Sequence, residues 1–197
     1  KLLNNKDIYV LENKKYLKTE IEGLYIIEPQ VFKDNRGYFF ESFSLKDFEK
    51  NIGKISFVQD NESLSVKRGV LRGLHFQRGE YAQAKLVRVV KGRVLDVAVD
   101  IRKESPTFGK CVVVELSEEN KRLFFLPRGM AHAYLTLEDD SIFQYKCDNY
   151  YAPASEGCII WNDPDIAINW PIDHSEIILS ERDKSGITLQ QYLKESK

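Results

Sequence analysis

The segment GVLRGLHFQ, residues 69–77, places a histidine within a run of strand-forming residues. His75 is one of only three histidines in the chain, with Arg72 three residues before it and Gln77 two residues after it. An imidazole in such a run can be a satisfied core side chain, a metal ligand or a general base. Each of these three interpretations predicts a different set of neighbours.

A metal site in a β-barrel usually takes two histidines at alternate positions of one strand, because alternate residues face the same way. The position two after His75 is Gln77, and His132 and His174 are isolated. The local pair is therefore missing, although histidines from distant segments could still meet in space. We expect no metal and no cofactor.

The alternation of RGLHFQ separates an apolar face from a polar one. Leu74 and Phe76 share one face of the strand, while Gly73, His75 and Gln77 share the other. The glycine could hold a bulge that re-aims the arginine before it. A polar face directed into a barrel indicates a site, and a structural histidine remains the alternative.

Other side chains supply further chemistry. Lys85 begins a strand in QAKLVR, Tyr145 shares a strand face with Phe143 and Cys147, and His132 lies two residues into a strand. Together with several arginines, these residues offer a base, a phenol and a lysine. Such a set suits the abstraction of a proton next to a carbonyl on an anionic substrate.

The elements that must position these side chains are short strands. From residue 21 onward, β-type runs recur with turn signals between them, and many alternate with period two. Helices are predicted only at 44–53, 117–121 and 188–196. The pattern predicts an all-β, antiparallel jelly-roll barrel with a few short peripheral helices, formed by a single domain over 21–197, and a peripheral arm over 1–20.

Composition limits the class of protein. The chain has 197 residues, 43% hydrophobic and 30% charged, with a net charge of −1. Without a basic excess, no nucleic-acid partner is expected. No apolar run is long enough to span a membrane, and no signal-peptide h-region is present. The three cysteines form no CxxC pair, which favours reduced thiols in a cytoplasmic protein.

Longer motifs carry a family resemblance. The segments DNRGYFFESF, FVQDNESLSVKRGVLRGLHFQ, QAKLVRVVKGRVLDVAVDIRKESPTFGK, LSEENKRLFFLPRGMAHAY, YKCDNYYAP, WNDPDIAINWP and LSERD occur in order. With them the chain resembles the dTDP-4-dehydrorhamnose 3,5-epimerase family from about residue 21 to residue 183.

The resemblance implies a metal-free, cupin-like enzyme that works as a homodimer on dTDP-4-dehydro-6-deoxy-D-glucose. In that family protons leave and return at sugar carbons 3 and 5, next to the 4-keto group. The family's base matches His75, oriented by a partner that matches Asp183. Its acid matches Tyr145, and its enolate-stabilising lysine matches Lys85.

The resemblance also implies a set of contacts to the dTDP-sugar: Arg36, Glu41, Gln59, Asn61, Arg72, His132, Tyr151, Glu156 and Arg182. Within this set Tyr151 matches the residue that stacks on thymine. Two positions depart from the family pattern, because Ala84 replaces a glycine and Arg182 replaces a lysine.

Three other readings use the same residues. A related 3-epimerase or 5-epimerase acting on another 4-keto nucleotide sugar needs the same acid and base, and so does a ketoisomerase. A non-catalytic sugar-binding jelly roll would be marked by loss of His75 or Tyr145, and both residues are present.

Overall fold

A computed structural model of the chain describes residues 14–195. Strands dominate this part of the chain, with only short helices: β1 (Lys15–Lys18), β2 (Tyr25–Glu28), β3 (Phe32–Asp34), β4 (Gly37–Phe39), α1 (Leu45–Asn51), β5 (Gln59–Ser65), β6 (Leu71–Gln77), β7 (Lys85–Lys91), β8 (Arg93–Asp100), β9 (Cys111–Ser117), β10 (Leu123–Leu126), β11 (Met130–Thr136), β12 (Ser141–Cys147), β13 (Glu156–Cys158), α2 (Glu181–Lys184) and α3 (Leu189–Lys194).

The strands form two sheets and a separate hairpin. One sheet has six strands in the order β1-β2-β10-β7-β12-β5, and the other has five in the order β13-β6-β11-β8-β9. Strands β3 and β4 pair only with each other. Within the described residues, every pairing of named strands is antiparallel. The predicted all-β, antiparallel jelly roll is confirmed.

Side-chain alternation places one apolar core between the sheets, a second outside the five-stranded sheet and a third, which includes Phe48 of α1, outside the six-stranded sheet. Val94 and Ala98 of β8 belong to the inner core with Phe124 and Phe143, whereas Val97 on the same strand belongs to the outer one. The polar face predicted for RGLHFQ follows the same rule, because Leu74 and Phe76 pack in the outer core. His75 therefore points between the sheets.

A bulge on β6 shapes the position of this histidine. The register between β6 and β11 shifts between the pairs His132–His75 and Tyr134–Arg72, so β6 carries one extra residue. Gly73 lies in that interval with φ +124, and a Cβ there would collide with the carbonyl oxygen of His132 and with Ala133. The predicted bulge is present, and it requires glycine.

Two of the three predicted helices are confirmed. Helix α1 lies within 44–53 and starts at an N-cap, Ser44, and α3 lies within 188–196. The helix predicted at 117–121 is wrong. Asn120 Oδ1 instead accepts from the backbone N–H groups of Ser117 and Arg122, and this side-chain bonding stabilises a turn between β9 and β10.

Residues 1–13 of the predicted arm lie outside the described residues. The described part of the arm contains β1, which pairs with β2 at the edge of the six-stranded sheet.

Candidate active site

A cavity of about 470 Å³ lies between the two sheets and holds most of the predicted site residues. Strands β6 and β11 of the five-stranded sheet, strands β7 and β12 of the six-stranded sheet and the segment that leads into α2 contribute to its walls. Nine of the thirteen predicted residues line it: Arg72, His75, Lys85, His132, Tyr145, Tyr151, Glu156, Arg182 and Asp183.

His75 and Asp183 form a dyad at one wall of the cavity. His75 Nε2 lies 2.6 Å from Asp183 Oδ1, and the backbone N–H of Gly73 donates to Asp183 Oδ2 over 3.2 Å. Burial opposes ionisation of this carboxyl group, but the bonds and charges of His75, with the N–H of Gly73 and the charge of Arg182, hold its pKa below the usual range. Asp183 is thus an ionised partner that fixes the ring of His75.

Short helix α2 delivers Asp183 to this dyad. Ser180 is its N-cap and accepts from the backbone N–H of Asp183 over 3.2 Å. The carboxyl group therefore sits in the first turn of a capped element, with its side chain buried against β6.

The opposite sheet contributes Lys85 and Tyr145. Lys85 is the first residue of β7, and Tyr145 lies within β12. The Nζ atom of Lys85 is 5.5 Å from the centroid of the tyrosine ring. Burial raises the pKa of Tyr145 to about 12, so its phenol keeps its proton. Burial lowers the pKa of Lys85, while the nearby acidic groups, Cys147 and Asp96 first, act in the other direction.

A second histidine–carboxylate pair lies at the cavity wall, where His132 lines the cavity and Asp96 is buried behind it. His132 Nε2 lies 2.9 Å from Asp96 Oδ2, and both side chains are buried. Burial lowers the pKa of His132 and raises that of Asp96, whereas the contact between them opposes both shifts. His132 is consequently fixed in orientation next to the space where a ligand would lie.

Three predicted contact residues form one cluster at the mouth of the cavity. Glu156 accepts from the Tyr151 hydroxyl over 2.7 Å and receives both terminal nitrogens of Arg182. The hydrogen bond to Glu156 raises the pKa of Tyr151. Tyr151 is 53% exposed as a residue, which leaves it accessible to a stacking partner.

Arg72, Gln59 and Asn61 support the site from its edge. Arg72 lines the cavity and donates to Ser65 Oγ and the carbonyl of Leu64. Gln59 accepts from the backbone N–H of Tyr151 over 3.1 Å and donates to Asn61 Oδ1 over 3.2 Å. Neither amide is in the cavity wall; Asn61 instead pairs with Tyr145 across β5 and β12.

The structure does not bring Arg36 and Glu41 into the cavity of their own chain. Arg36 lies on the turn between β3 and β4 with its side chain 86% exposed, where it pairs with Asp34. Glu41 follows the hairpin and pairs with Lys14. Both residues lie outside the group that surrounds the dyad.

Sequence analysis missed three residues in or beside the cavity. Asp96 was visible only as one of two aspartates, with Asp100, on a strand face of otherwise small or apolar residues. Tyr134 is a second buried phenol, 2.6 Å from Ser63 Oγ, and both line the cavity. Cys158 lies opposite His75 in the pairing of β13 with β6, with its Sγ 3.9 Å from Asp183 Oδ1. No local sequence pattern indicated Tyr134 or Cys158.

A double-sheet antiparallel barrel that holds a histidine–aspartate dyad, a protonated phenol and a lysine in one cavity defines an enzyme of the cupin-like isomerase class, built to move protons next to a carbonyl. The family model for dTDP-4-dehydrorhamnose 3,5-epimerase matches residues 18–191. The chain belongs to this family.

Individual relatives agree with this assignment. The dTDP-4-dehydrorhamnose 3,5-epimerase of Salmonella typhimurium is 56% identical over 178 residues, which cover 90% of this chain and 96% of the relative. The crystal structure of the enzyme of that name from Elizabethkingia anophelis has a TM-score of 0.86 at 51% identity, covering 90% of this chain and 97% of that one.

A third relative was solved with a ligand. The dTDP-6-deoxy-D-glucose-3,5-epimerase of Legionella pneumophila, in complex with dTDP-4-keto-L-rhamnose, has a TM-score of 0.86 at 48% identity, covering 90% of this chain and 93% of that one.

Within residues 14–195, this chain has no helix long and apolar enough to cross a membrane.

Proposed function

We propose that this protein converts dTDP-4-dehydro-6-deoxy-D-glucose to dTDP-4-dehydro-L-rhamnose by removing and returning protons at sugar carbons 3 and 5. The observation that carries the proposal is the His75–Asp183 dyad on one sheet, with Lys85 and Tyr145 on the facing sheet of the same cavity. The reaction belongs to dTDP-L-rhamnose biosynthesis and needs no cofactor.

His75 is the general base. The 4-keto group acidifies the protons on the neighbouring carbons, so an imidazole can remove one of them. Asp183 holds the ring through Nε2, which leaves the other ring nitrogen for the sugar. Its negative charge stabilises the imidazolium that forms when the proton is taken.

Lys85 and Tyr145 act on the intermediate. The ammonium of Lys85 stabilises the negative charge that develops on the carbonyl oxygen. Tyr145 then returns a proton as general acid. Because β12 and β6 belong to opposite sheets, a sugar ring held between the sheets has the base on one side and the phenol on the other. That arrangement allows inversion of the carbon.

The nucleotide lies at the mouth of the cavity. Tyr151 stacks on the thymine base, and Arg72 and Arg182 bind the diphosphate through charge-assisted bonds. Glu156 pairs with Arg182 and accepts a hydrogen bond from Tyr151, so it positions both side chains for the ligand. His132, Gln59 and Asn61 complete the contacts from the cavity wall and its edge.

The protein works as a homodimer in the cytoplasm, where its three free cysteines remain reduced. The hairpin β3–β4 favours the proposal of a dimer, because it exposes Tyr38 and Phe39 and holds Arg36 away from the cavity of its own chain. In a dimer such a hairpin can bring Arg36 and Glu41 to the cavity of a second subunit. Light scattering at several concentrations tests this, and a monomer at all of them would contradict it.

NMR of the reaction in deuterium oxide tests the activity. The protein is incubated with dTDP-4-dehydro-6-deoxy-D-glucose, and the product is examined for configuration and deuterium at each carbon. Deuterium at carbons 3 and 5 of the L-sugar is expected. Exchange at one carbon only would make the protein a single-site epimerase, and a product with a displaced ketone would make it a ketoisomerase.

A further inference from the structure

We propose that His75, Cys158 and Asp183 form an inhibitory site for a thiophilic divalent cation such as Zn²⁺ or Cd²⁺. The proposal rests on the proposed function, because two of the three ligands are the dyad that performs the chemistry there. The third, Cys158, has no part in that reaction.

The geometry brings three different ligand types together. One ring nitrogen of His75, the thiol sulfur of Cys158 and one carboxylate oxygen of Asp183 all lie within 4.8 Å of one another. In a tetrahedral zinc site with ordinary bond lengths, neighbouring ligand atoms are about 3.3–3.6 Å apart. To reach that arrangement, the 2.6 Å between His75 Nε2 and Asp183 Oδ1 must widen by about 0.7–1 Å, and the 3.9 Å between Cys158 Sγ and Asp183 Oδ1 must shorten by about 0.3–0.6 Å.

The ligand set suits the charge of the ion. Imidazole and thiolate are the preferred ligands of zinc, and a carboxylate completes a mixed site. Burial raises the pKa of the Cys158 thiol, so the metal displaces the thiol proton to solvent when it binds. The resulting thiolate and the carboxylate together carry two negative charges, so a bound divalent ion gives a neutral group. Arg182, which lines the same cavity, is already paired with Glu156. The site therefore does not bury an unbalanced charge.

The ion can reach these ligands from two directions. His75 and Asp183 line the main cavity. Cys158 lines a separate cleft of about 370 Å³, which shares Glu156 and Arg182 with the main cavity. Three protein ligands also leave one coordination position for water.

Binding at this site stops the reaction by occupying the base. An imidazole that binds a metal through one nitrogen carries its remaining proton on the other nitrogen. His75 then cannot accept a proton from the sugar, and Asp183 no longer stabilises an imidazolium. No bond to the substrate is made or broken by the ion, and the inhibition reverses when a chelator removes it.

The first test measures binding without reference to activity. Cadmium is titrated into the full-length protein, and the ultraviolet thiolate-to-cadmium charge-transfer band is followed for wild type, Cys158→Ser, His75→Ala and Cys111→Ser. The band should disappear in Cys158→Ser, weaken in His75→Ala and persist in Cys111→Ser, the matched control at a half-exposed thiol. A full band in Cys158→Ser would overturn the site, and so would unchanged affinity in His75→Ala, because the thiol would then bind alone.

The second test measures inhibition of epimerisation by buffered zinc. Loss of an outer-shell group alone typically costs about 10–100-fold in metal affinity, so loss of the thiolate ligand should raise the inhibitory zinc concentration at least about tenfold. Cys158→Ser should keep the wild-type rate of epimerisation in EDTA. Cys158→Ala is included because a serine hydroxyl at this position could still bind zinc. Equal zinc sensitivity of wild type and both variants would refute the proposal. If the protein proves to have no epimerase activity, the cadmium titration still decides whether the site exists.

Discussion

His75 Nε2 and Asp183 Oδ1 lie 2.6 Å apart although the two residues are 108 positions apart in the chain. The same carboxylate binds the backbone N–H of Gly73, so Asp183 fixes both the imidazole and the bulge two residues before it. The base of the proposed reaction is thus held by a contact that also determines the local shape of β6.

Replacing Asp183 by asparagine tests this contact. The amide keeps the size of the side chain but removes the charge that stabilises imidazolium, so kcat should fall by about 10²–10⁴-fold with little change in KM. His75→Ala should fall at least as far and should also abolish deuterium exchange into recovered substrate. Steady-state kinetics and NMR measure both effects. A variant Asp183→Asn with wild-type kcat would remove the dyad from the mechanism.

Tyr145→Phe separates the acid from the base. The variant loses the phenolic proton and keeps the ring, so it should block net inversion while His75 still exchanges deuterium into the substrate at its original configuration. Tyr134→Phe is the matched control, because it removes the other phenol that lines the cavity. Inversion lost in Tyr134→Phe and kept in Tyr145→Phe would transfer the acid role to Tyr134.

Tyr151→Ala tests nucleotide stacking. Stacking of a base on an aromatic ring contributes about 1–3 kcal/mol, so KM should rise roughly 5- to 150-fold while kcat changes little. Tyr151→Phe keeps the ring and loses only the hydroxyl bond to Glu156, and its KM should stay near that of the wild type. If the two variants raised KM equally, the hydroxyl rather than the ring would carry the effect.

Gly73→Ala tests the bulge. A Cβ at this position meets the backbone of β11, and its φ of +124 is unfavourable for any other residue. The substitution should lower kcat and thermal stability together, since the N–H that binds Asp183 must move. Gly79→Ala is the control, because a Cβ there contacts nothing within 4 Å although φ is also positive. Equal stability and activity of both variants would show that β6 tolerates a side chain.

The low pKa of Asp100 predicts that the free energy of unfolding decreases in acid. Burial opposes its ionisation, but bonds from Arg102, Ser105 and Thr107 lower its pKa to about 2. Because the folded pKa lies below the unfolded value, the carboxylate stabilises the fold above about pH 4, and this contribution disappears as pH falls toward 2.

The size of that contribution is on the order of 2 kcal/mol in the free energy of unfolding. Urea unfolding near neutral pH and again in acid measures it. Asp100→Asn should lose less stability on acidification than the wild type by about this amount, whereas Glu181→Gln, at a 91% exposed side chain, should behave as the wild type. Identical acid dependence of all three proteins would exclude the mechanism.

Local sequence was sufficient for the strand order along the chain and for the direction of most side chains. A period of two decides which residues share a face, so His75 was predictable as facing into the barrel, on the side of the strand opposite Leu74 and Phe76. The same reasoning failed at 117–121, where side-chain bonds of Asn120 outweighed a helical pattern, and strand β13 gave no signal because it is only three residues long.

Only the tertiary structure decided which of these side chains meet. The contact of Asp183 with His75, the pairing of His132 with Asp96 and the placement of Cys158 beside the dyad depend on sheet register and on the path of the segment into α2. Arg36 shows the same limit, because a recognisable motif predicted a ligand contact, whereas the fold of the single chain places the residue on an exposed hairpin away from its own cavity. Sequence alone determines periodicity and turn chemistry, which are local; contacts across many residues arise from packing of the whole barrel.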